Sequence, residues 1–215
     1  MNPQHTQSKI IYLASKSPRR RELLKQIGVQ FELLMMREVL RGVAHEDGMA
    51  MDVDESPRGG EQPRHYVERI VRLKAETAQR IMRSRKLAIR PILTADTTVA
   101  IGEDILGKPH DVADAVRILK RLSGQTHQVM TAIAVTAHGE TDFALSTSFV
   151  TFTSLSDADI KRYIETGEPM DKAGAYGIQG HAAKFISKIS GSYTGVMGLP
   201  LFETAELLRK AGFAV

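Results

Sequence analysis

Short apolar runs alternate with amphipathic stretches from residue 10 onward, and this alternation predicts interspersed strands and helices. The run IIYL at residues 10–13 predicts a strand. A helix is expected after it over residues 18–27, with Ser17 as its N-cap and Pro18 at its first helical position. The segment VQFELLMM at residues 29–36 predicts a second strand.

The middle of the chain carries the longest amphipathic pattern. Apolar residues recur at helical spacing from Pro63 to about Arg85, which predicts one long helix. Residues 90–101 (RPILTADTTVAI) then predict a strand, and a turn leads into residues 105–109 (ILGKP), which indicates a hairpin. The stretch over residues 41–64 is rich in Gly, Pro and acidic residues and predicts a long surface loop.

The second half of the chain continues the alternation. A helix is expected after Asp111, and residues 126–137 and 142–155 predict two strands that pair with each other. The remaining predicted elements are a helix with a capping box over residues 156–167, a glycine-dense segment over 167–180, a strand over 184–191 and a Pro-started helix over 199–212. Interspersed helices and strands predict an α/β fold with a mixed sheet.

Composition limits the classes of protein that fit. With 215 residues, 42% of them hydrophobic and 25% charged, the chain is typical of a globular protein with a sizeable core. The absence of cysteine excludes disulfides and thiolate metal sites and suits a reducing cytoplasm. Since the chain has neither a signal-like apolar start nor an apolar run of membrane-spanning length, we expect a cytoplasmic protein with a disordered segment at residues 1–8 and no membrane contact.

The positive charge permits a polyanionic partner. A net charge of +4 and a pI near 9.3 are compatible with nucleic acid, an anionic membrane surface or a phosphorylated small molecule, and equally with a solvated basic surface. Aromatic residues are only 6% of the chain, and no basic stretch carries the interleaved aromatics that stack on single-stranded bases. Charge alone does not choose between these partners.

The first turn of the first predicted helix holds Arg19, Arg20 and Arg21. Because a helix N-terminus carries a partial positive charge, each exposed cation there destabilises the helix by about 0.3–1 kcal/mol. Arginine side chains beside the free N–H groups after Ser17 would form a cradle for phosphate oxygens. The alternative is that the arginines point into solvent or meet acidic neighbours.

Asp96 interrupts an otherwise apolar strand, where an unpaired carboxylate is costly to bury. It therefore suits a general base or a metal ligand, and hairpin pairing would bring Lys108 back toward it. The alternative is an aspartate that ends the strand by bonding to the backbone of Thr97 or Thr98.

Two further segments are candidates for ligand binding. Asp52, Asp54 and Glu55 offer oxygen ligands to Mg²⁺, although most acidic loop clusters are simply solvated. In DKAGAYGIQG the closely spaced glycines permit backbone approach to a ligand, and Gln179 can both donate to and accept from a base edge; a tight structural turn is the equal alternative. The histidines show no metal-like spacing, and His127 is expected to have a surface or packing role.

Taken in this order, the segments resemble the Maf family of nucleoside triphosphate pyrophosphatases, enzymes first associated with inhibition of septum formation in bacteria. The resemblance runs from about residue 10 to residue 212. Its motifs are LASKSPRRREL, TADTTVAI, LGKP, LSGQTHQVMTAIAV, DKAGAYGIQG and GSYTGVMGLPLFET. DKAGAYGIQG looks like the family branch that hydrolyses dTTP and UTP, not the branch that acts on 7-methyl-GTP.

The resemblance implies roles for the matched polar positions. Asp96 would be the catalytic proton acceptor and, with Glu55, would hold a divalent metal cation, Mg²⁺ or Mn²⁺. The segment before Glu55 is longer than the usual family spacing, which leaves Asp52 and Asp54 as alternatives to it. The implied substrate-binding residues are Ser15, Arg19, Arg20, Lys74, Thr97, Lys108 and Gln179, of which Arg19, Thr97 and Gln179 would govern substrate choice.

The implied fold is a mixed, elongated sheet flanked by helices, with a single domain over residues 9–215 forming two lobes around a deep cleft, commonly as a homodimer. The implied reaction converts dTTP or UTP, and as further candidates CTP and modified uridine triphosphates, to the monophosphate and pyrophosphate in a house-cleaning role. Two alternatives remain: a nucleotidyltransferase, which needs a second substrate, and a nucleic-acid-binding or cell-division regulator. Stable nucleic-acid binding is not expected.

Overall fold

The computed structural model describes residues 10–35 and 53–215. The predictions made for residues 1–8, for Asp52 and for most of the loop before Glu55 lie outside these described residues. The strands are β1 (Ile10–Leu13), β2 (Gln30–Leu33), β3 (Ile92–Ile101), β4 (Asp104–Leu106), β5 (Thr126–Ala137), β6 (Glu140–Phe152) and β7 (Ile186–Ser190). The helices are α1 (Pro18–Gln26), α2 (Pro63–Ser84), α3 (Val112–Leu122), α4 (Asp157–Glu165), α5 (Tyr193–Met197) and α6 (Leu201–Lys210).

The strands form one mixed seven-stranded sheet in the order β2-β1-β3-β5-β6-β7, with β4 paired to β3 beside this path. β1 is parallel to both β2 and β3, whereas β3, β5, β6 and β7 follow one another in antiparallel pairs. The predicted mixed α/β fold, with helices flanking the sheet, is therefore confirmed. The description of the chain as a single domain with two lobes stays a prediction.

One edge of β3 is open in the middle of the sheet. β1 pairs with β3 only at Ile92 and Leu93, and β4 pairs with it only from Val99 to Ile101. Within the described residues, positions 94–98 thus have a strand partner only on the β5 side. The chain leaves β1 toward α1 on one side of this gap and leaves β4 toward α3 on the other. The gap is where a cleft can enter the sheet.

Strand alternation in β3 sorts its side chains between the two faces of the sheet. Leu93, Ala95 and Val99 belong to the main apolar core. Ile92 and Ala100 pack instead in the clusters formed with α2. Residues 96 and 97 therefore project to opposite faces, and both do so at the open edge.

Most local predictions are confirmed, with small differences at element ends. The capping box of Ser156 and Asp159 is present, and Asp111 caps α3 by accepting from the Asp114 N–H. Ser17 is the N-cap residue of α1, but its side chain makes no capping hydrogen bond. β2 ends at Leu33 rather than at residue 36, β6 ends at Phe152 rather than at 155, and α5 was not predicted. Such a short helix carries too few residues for a periodic signal.

His127 is buried, and its predicted packing role, not a surface role, is correct. Its Nε2 lies 2.8 Å from the hydroxyl of Tyr176, and its ring contacts Phe152 and Tyr176 edge to face. Burial lowers the pKa of His127 from 6.5 to about 4. The imidazole is therefore neutral at physiological pH.

No helix in the described ranges combines the length and the apolar character that crossing a bilayer requires.

The buried neutral imidazole predicts a specific pH dependence of stability. Because the folded-state pKa is depressed, the contribution of His127 is full above about pH 6.5 and is lost as the pH falls toward 4. Between pH 7 and pH 5 the wild-type protein should lose about 2 kcal/mol of unfolding free energy more than a His127→Phe variant. Denaturant titrations of both proteins at several pH values measure this difference. If the unfolding free energies of the two proteins fell in parallel with pH, the His127 ring would not titrate as described.

Candidate active site

A cleft with a volume of about 1050 Å³ occupies the open edge of β3. The ends of β1 and β4, the start of α1, one face of α2 and the segment between α4 and β7 line it. Asp54 is not among its lining residues, but its wall holds the residues to which the family resemblance assigns catalytic, substrate or metal contacts: Ser15, Arg19, Arg20, Glu55, Lys74, Asp96, Thr97, Lys108 and Gln179. The fold thus brings together positions that are separated by as many as 164 residues, from 15 to 179.

Lys74 binds two carboxylates at the bottom of the cleft. Its Nζ lies 2.6 Å from Oδ1 of Asp96 and 2.7 Å from Oε1 of Glu55. α2 carries this lysine on the face that packs against the sheet, so the residue is only 8% exposed. Burying an ammonium is costly unless it is paired, and these two carboxylates are its partners. Asp96 therefore has a cation as its partner and does not cap its own strand.

The two carboxylates differ in exposure. The Asp96 side chain is 11% exposed, whereas that of Glu55 is 48% exposed and faces the mouth of the cleft. Burial by itself would raise the pKa of Glu55, but the charge and hydrogen bond of Lys74, together with the charges of Lys108 and Arg20, hold that pKa below its ordinary value. Glu55 is thus a carboxylate at neutral pH.

The three arginines of α1 point in three directions. Arg19 lines the cleft, and the Nη2 of Arg21 donates to the carbonyl of Lys16 at 2.8 Å. Arg20 turns inward, with Nε 2.7 Å from the carbonyl oxygen of Gly198 and its Nη1 and Nη2 each 3.1 Å from a hydroxyl, that of Ser15 and that of Thr97. Arg20 consequently fixes the start of α1 against β3, and two of its five N–H groups have no partner among the described residues.

The hydrogen bond of Arg20 continues into a chain of hydroxyls. Thr131 donates to the carbonyl of Gly195 at 2.7 Å, so its single proton is used there. Thr97, 2.9 Å from the Thr131 hydroxyl, must therefore be the donor in that pair. The hydroxyl of Thr97 is left with acceptor capacity only, which limits how it can contact a substrate.

Lys108 reaches the cleft through the predicted hairpin. β4 runs antiparallel to β3 with Leu106 opposite Val99, and the chain then passes along the wall through Gly107 and Lys108. The ammonium of Lys108 acts on the pKa of Glu55 through its charge. Lys108 and Asp96 thus line the same cleft, but Asp96 itself pairs with Lys74, and the expectation that the hairpin brings the Lys108 ammonium toward Asp96 stays a prediction.

The glycines of DKAGAYGIQG make room for protein atoms. A Cβ at Gly174 would lie 2.9 Å from a methyl group of Val99, one at Gly177 would lie 2.9 Å from Cε of Lys172, and one at Gly180 would lie 2.2 Å from Oε2 of Glu168. The φ of Gly174 is also +70°, which L side chains rarely adopt. Of the two alternatives for this segment, the structure favours a tight packed turn, at whose surface Gln179 faces the cleft.

The acidic loop contributes Glu55, not Asp54, to the cleft. Asp54 is exposed and accepts from the N–H of Ser56 at 2.9 Å, while Asp52 lies outside the described residues. No group of three or more His, Cys, Asp or Glu side chains able to hold a metal ion occurs in the described part of the chain. Glu55 and Asp96 nevertheless converge on one point at Lys74, and two carboxylates are the usual protein contribution to Mg²⁺ held together with substrate phosphates. Lys74 bonds one oxygen of each carboxylate, so a metal shared with substrate phosphates would use the second oxygen of each.

Sequence reasoning missed three cleft or near-cleft residues. Tyr66 donates from its hydroxyl to the carbonyl of Glu55 at 2.8 Å and so holds that residue near Lys74. Thr131 anchors Thr97, and the buried hydroxyl of Thr98 lines the cleft without a protein partner in the described ranges. Polar positions within β3 and β5 were the available signal for Thr98 and Thr131.

The chain is similar to known proteins over nearly its whole length. A family model described as "Maf-like protein" matches residues 10–211. The chain is 53% identical over 205 residues to a protein of Dechloromonas aromatica (strain RCB) named dTTP/UTP pyrophosphatase, covering 94% of this chain and 98% of that one. Proteins with the same name from Aromatoleum aromaticum (strain DSM 19018 / LMG 30748 / EbN1) and Ralstonia nicotianae (strain ATCC BAA-1114 / GMI1000) are each 55% identical, over 203 and 206 residues. The first match covers 94% of this chain and 96% of the relative, and the second covers 95% of each.

The paired carboxylates give a testable electrostatic prediction. Replacing Lys74 by Met removes the nearest cation and its hydrogen bond but keeps the burial, so the pKa of Glu55 should rise. A Lys108→Met variant removes a cation with a smaller influence and should raise that pKa less. NMR titration of ¹³C-labelled glutamate carboxyls measures both changes. An equal or larger rise in the Lys108 variant would contradict the assignment of Lys74 as the dominant partner.

Proposed function

Because the chain belongs to the Maf family, we propose that it is a nucleoside triphosphate pyrophosphatase that hydrolyses dTTP and UTP to the nucleoside monophosphate and pyrophosphate. Relatives that are 53% to 55% identical to this chain over nearly its whole length are named dTTP/UTP pyrophosphatase, and these names support dTTP and UTP as the proposed substrates. The observation that carries the proposal is the Asp96–Lys74–Glu55 group at the bottom of a cleft rimmed by cationic side chains.

Asp96 is the proposed proton acceptor. Its carboxylate would take a proton from the attacking water as the water oxygen bonds to phosphorus at the α–β anhydride, and pyrophosphate would leave with the bridging oxygen. Lys74 holds Oδ1 of Asp96 at 2.6 Å, so the carboxylate has a fixed direction, and its Oδ2 would face both the attacking water and the cation. Lys74 also places positive charge beside the reacting phosphate.

Charge neutralisation and positioning are the main requirements of phosphoryl chemistry. Arg19 and Lys108 line the cleft with side chains that could meet phosphate oxygens, and the first turn of α1 holds no acidic residue. The N-terminus of α1 opens into the same cleft and adds N–H groups for an anion. Ser15 and Arg20, which are hydrogen-bonded to each other, are also proposed to bind the substrate, with the two Arg20 N–H groups that lack a partner in the described residues available to phosphate.

A divalent cation, Mg²⁺ or Mn²⁺, is part of the proposal. Glu55 and Asp96 are the residues that would hold it, with the triphosphate completing the coordination. When bound, such a cation would neutralise phosphate charge and polarise the scissile anhydride.

Gln179 is the proposed reader of the base. Its side-chain amide can donate and accept together, as a pyrimidine edge requires, and Thr97 can contribute an acceptor oxygen. CTP and modified uridine triphosphates are further candidate substrates, in keeping with a house-cleaning role. The homodimer and the cytoplasmic location expected from the sequence also stay predictions.

Product identity tests the proposed reaction. The protein is incubated with a panel of nucleoside triphosphates, and the products are separated by ion-exchange chromatography. We expect pyrophosphate and monophosphate from dTTP and UTP. Orthophosphate with diphosphate would reject the proposal, and turnover only with a second nucleotidyl acceptor would favour a nucleotidyltransferase.

Asp96→Asn tests the proton acceptor. Asparagine keeps an oxygen for Lys74 but cannot accept the water proton, so kcat should fall by about 10²- to 10⁴-fold. Loss of one charge partner of Lys74 should lower the unfolding temperature, and a native circular-dichroism spectrum at the assay temperature shows that the fold persists. Asp157→Asn, an exposed replacement on α4, is the matched control and should keep wild-type turnover. Near-normal kcat in the Asp96 variant would refute the assignment.

Removing divalent metal tests the cation. Chelation should abolish turnover, and added Mg²⁺ or Mn²⁺ should restore it. Glu55→Gln should raise the metal concentration needed for half-maximal turnover, whereas Asp54→Asn, beside it but outside the cleft, should not. Turnover that persists in chelator would overturn the metal assignment.

A further inference from the structure

The loop that presents Gln179 is held from behind by two side chains that do not line the cleft. We call residues 176–181 the Gln179 loop, and Glu168 with Tyr163 the carboxylate clamp. Glu168 accepts from the Tyr163 hydroxyl at 2.8 Å through Oε1 and from the backbone N–H of His181 at 2.8 Å through Oε2. The Tyr163 oxygen in turn accepts from the backbone N–H of Gly177 at 3.3 Å. The clamp therefore grips the loop two residues before and two residues after Gln179.

The side chain of Gln179 is not held by any hydrogen bond or ion pair of its own within the described residues. The residue is exposed toward the cleft. The direction in which the amide points thus depends on the backbone that carries it. That backbone is set at Gly177 and His181 by the clamp.

The clamp is partly buried, since Tyr163 is buried and Glu168 is of intermediate exposure. Tyr163 is 1% exposed, and the absence of a Cβ at Gly180 is what lets Glu168 approach the chain, because a Cβ there would lie 2.2 Å from Oε2. Burial would raise the pKa of Glu168, but the His181 N–H and the Tyr163 hydroxyl lower it below its ordinary value. Glu168 therefore accepts both hydrogen bonds as a carboxylate at neutral pH.

We propose that Glu168, acting with Tyr163, is a positioning residue for base recognition: it sets the place of Gln179 and so the preference for pyrimidine nucleotides, without contact to the substrate. This rests on the proposed function, because it assigns Gln179 as the reader of the base. The catalytic group lies on β3 and α2, and the clamp lies on α4 and the segment that follows it. Loosening the clamp should weaken base recognition and leave the chemical step in place.

Glu168→Gln is the direct test. Glutamine keeps an oxygen for Tyr163 but turns an NH₂ group toward the His181 N–H, so the grip on one side of the loop is lost. We expect the KM for dTTP and UTP to rise about tenfold, the kcat to stay within about threefold, and the kcat/KM ratio of dTTP to ATP to fall about tenfold, which is about 1.4 kcal/mol of discrimination. Glu165→Gln, the same substitution at an exposed position on α4, is the matched control and should match wild type.

Inorganic tripolyphosphate separates base recognition from phosphate binding. It carries no base, so its inhibition constant against dTTP turnover should be unchanged in Glu168→Gln. An inhibition constant that rises with the KM, or a kcat that falls with an unchanged KM, would overturn the proposal. Pyrophosphate release by the wild-type protein is measured first, and its absence would count against the proposed function itself.

Tyr163→Phe provides a second, milder variant. It removes only the hydroxyl, which leaves Gly177 without its acceptor, and should shift the same kinetic constants in the same direction. In the double variant the two effects should be less than additive, because both act through one loop. If Glu168→Gln does not fold at the assay temperature, Tyr163→Phe decides alone: a discrimination ratio equal to that of wild type would refute the proposal.

Discussion

A buried ammonium that needs two carboxylates is the interaction on which the arrangement of the cleft depends. Lys74 lies on the face of α2 that packs against the sheet, where an unpaired charge would be strongly destabilising. Asp96 in the centre of β3 and Glu55 in the segment before α2 both bind it. The same pairing keeps two carboxylates, a cation and the floor of a cleft within a few ångströms of one another. A requirement of stability and a proposed requirement of phosphate chemistry are thus met by the same atoms.

The topology of the sheet explains why this group is accessible at all. A polar group in the middle of a central strand is normally enclosed by neighbouring strands and helices. β1 ends early along β3, and β4 begins late, so positions 94–98 are left open on one edge. The turns that follow β1 and β4 bring Arg19 and Lys108 to the two sides of the opening. The cationic rim is therefore a consequence of where two short strands stop.

Rigid support appears on both sides of the cleft. On one side Arg20 connects Ser15 of the β1–α1 turn, Thr97 of β3 and the backbone at Gly198. On the other, Glu168 and Tyr163 hold the loop that carries Gln179, and glycines in that loop provide the space for the close contacts. Within the described residues the side chains of Arg19, Lys108 and Gln179 make no hydrogen bond, whereas the supporting residues Arg20, Glu168 and Tyr163 do. Such a division preorganises a site without occupying the groups that must bind the ligand.

Hydrophobic periodicity, caps and turn residues were sufficient to predict the elements and the mixed α/β class, because these signals are local in the chain. The motifs around Arg19 and Asp96 also pointed to residues that line the cleft, since their charges conflict with their local positions and indicate a ligand or a partner. Gln179 was a candidate because its neutral amide can both donate and accept. The sequence could not show that Lys74 lies between Asp96 and Glu55, that Arg20 turns inward, or that the glycines near Gln179 make room for Glu168. Each of these depends on contacts between segments far apart in the chain, and only the packing of the sheet against its helices determines which polar groups meet.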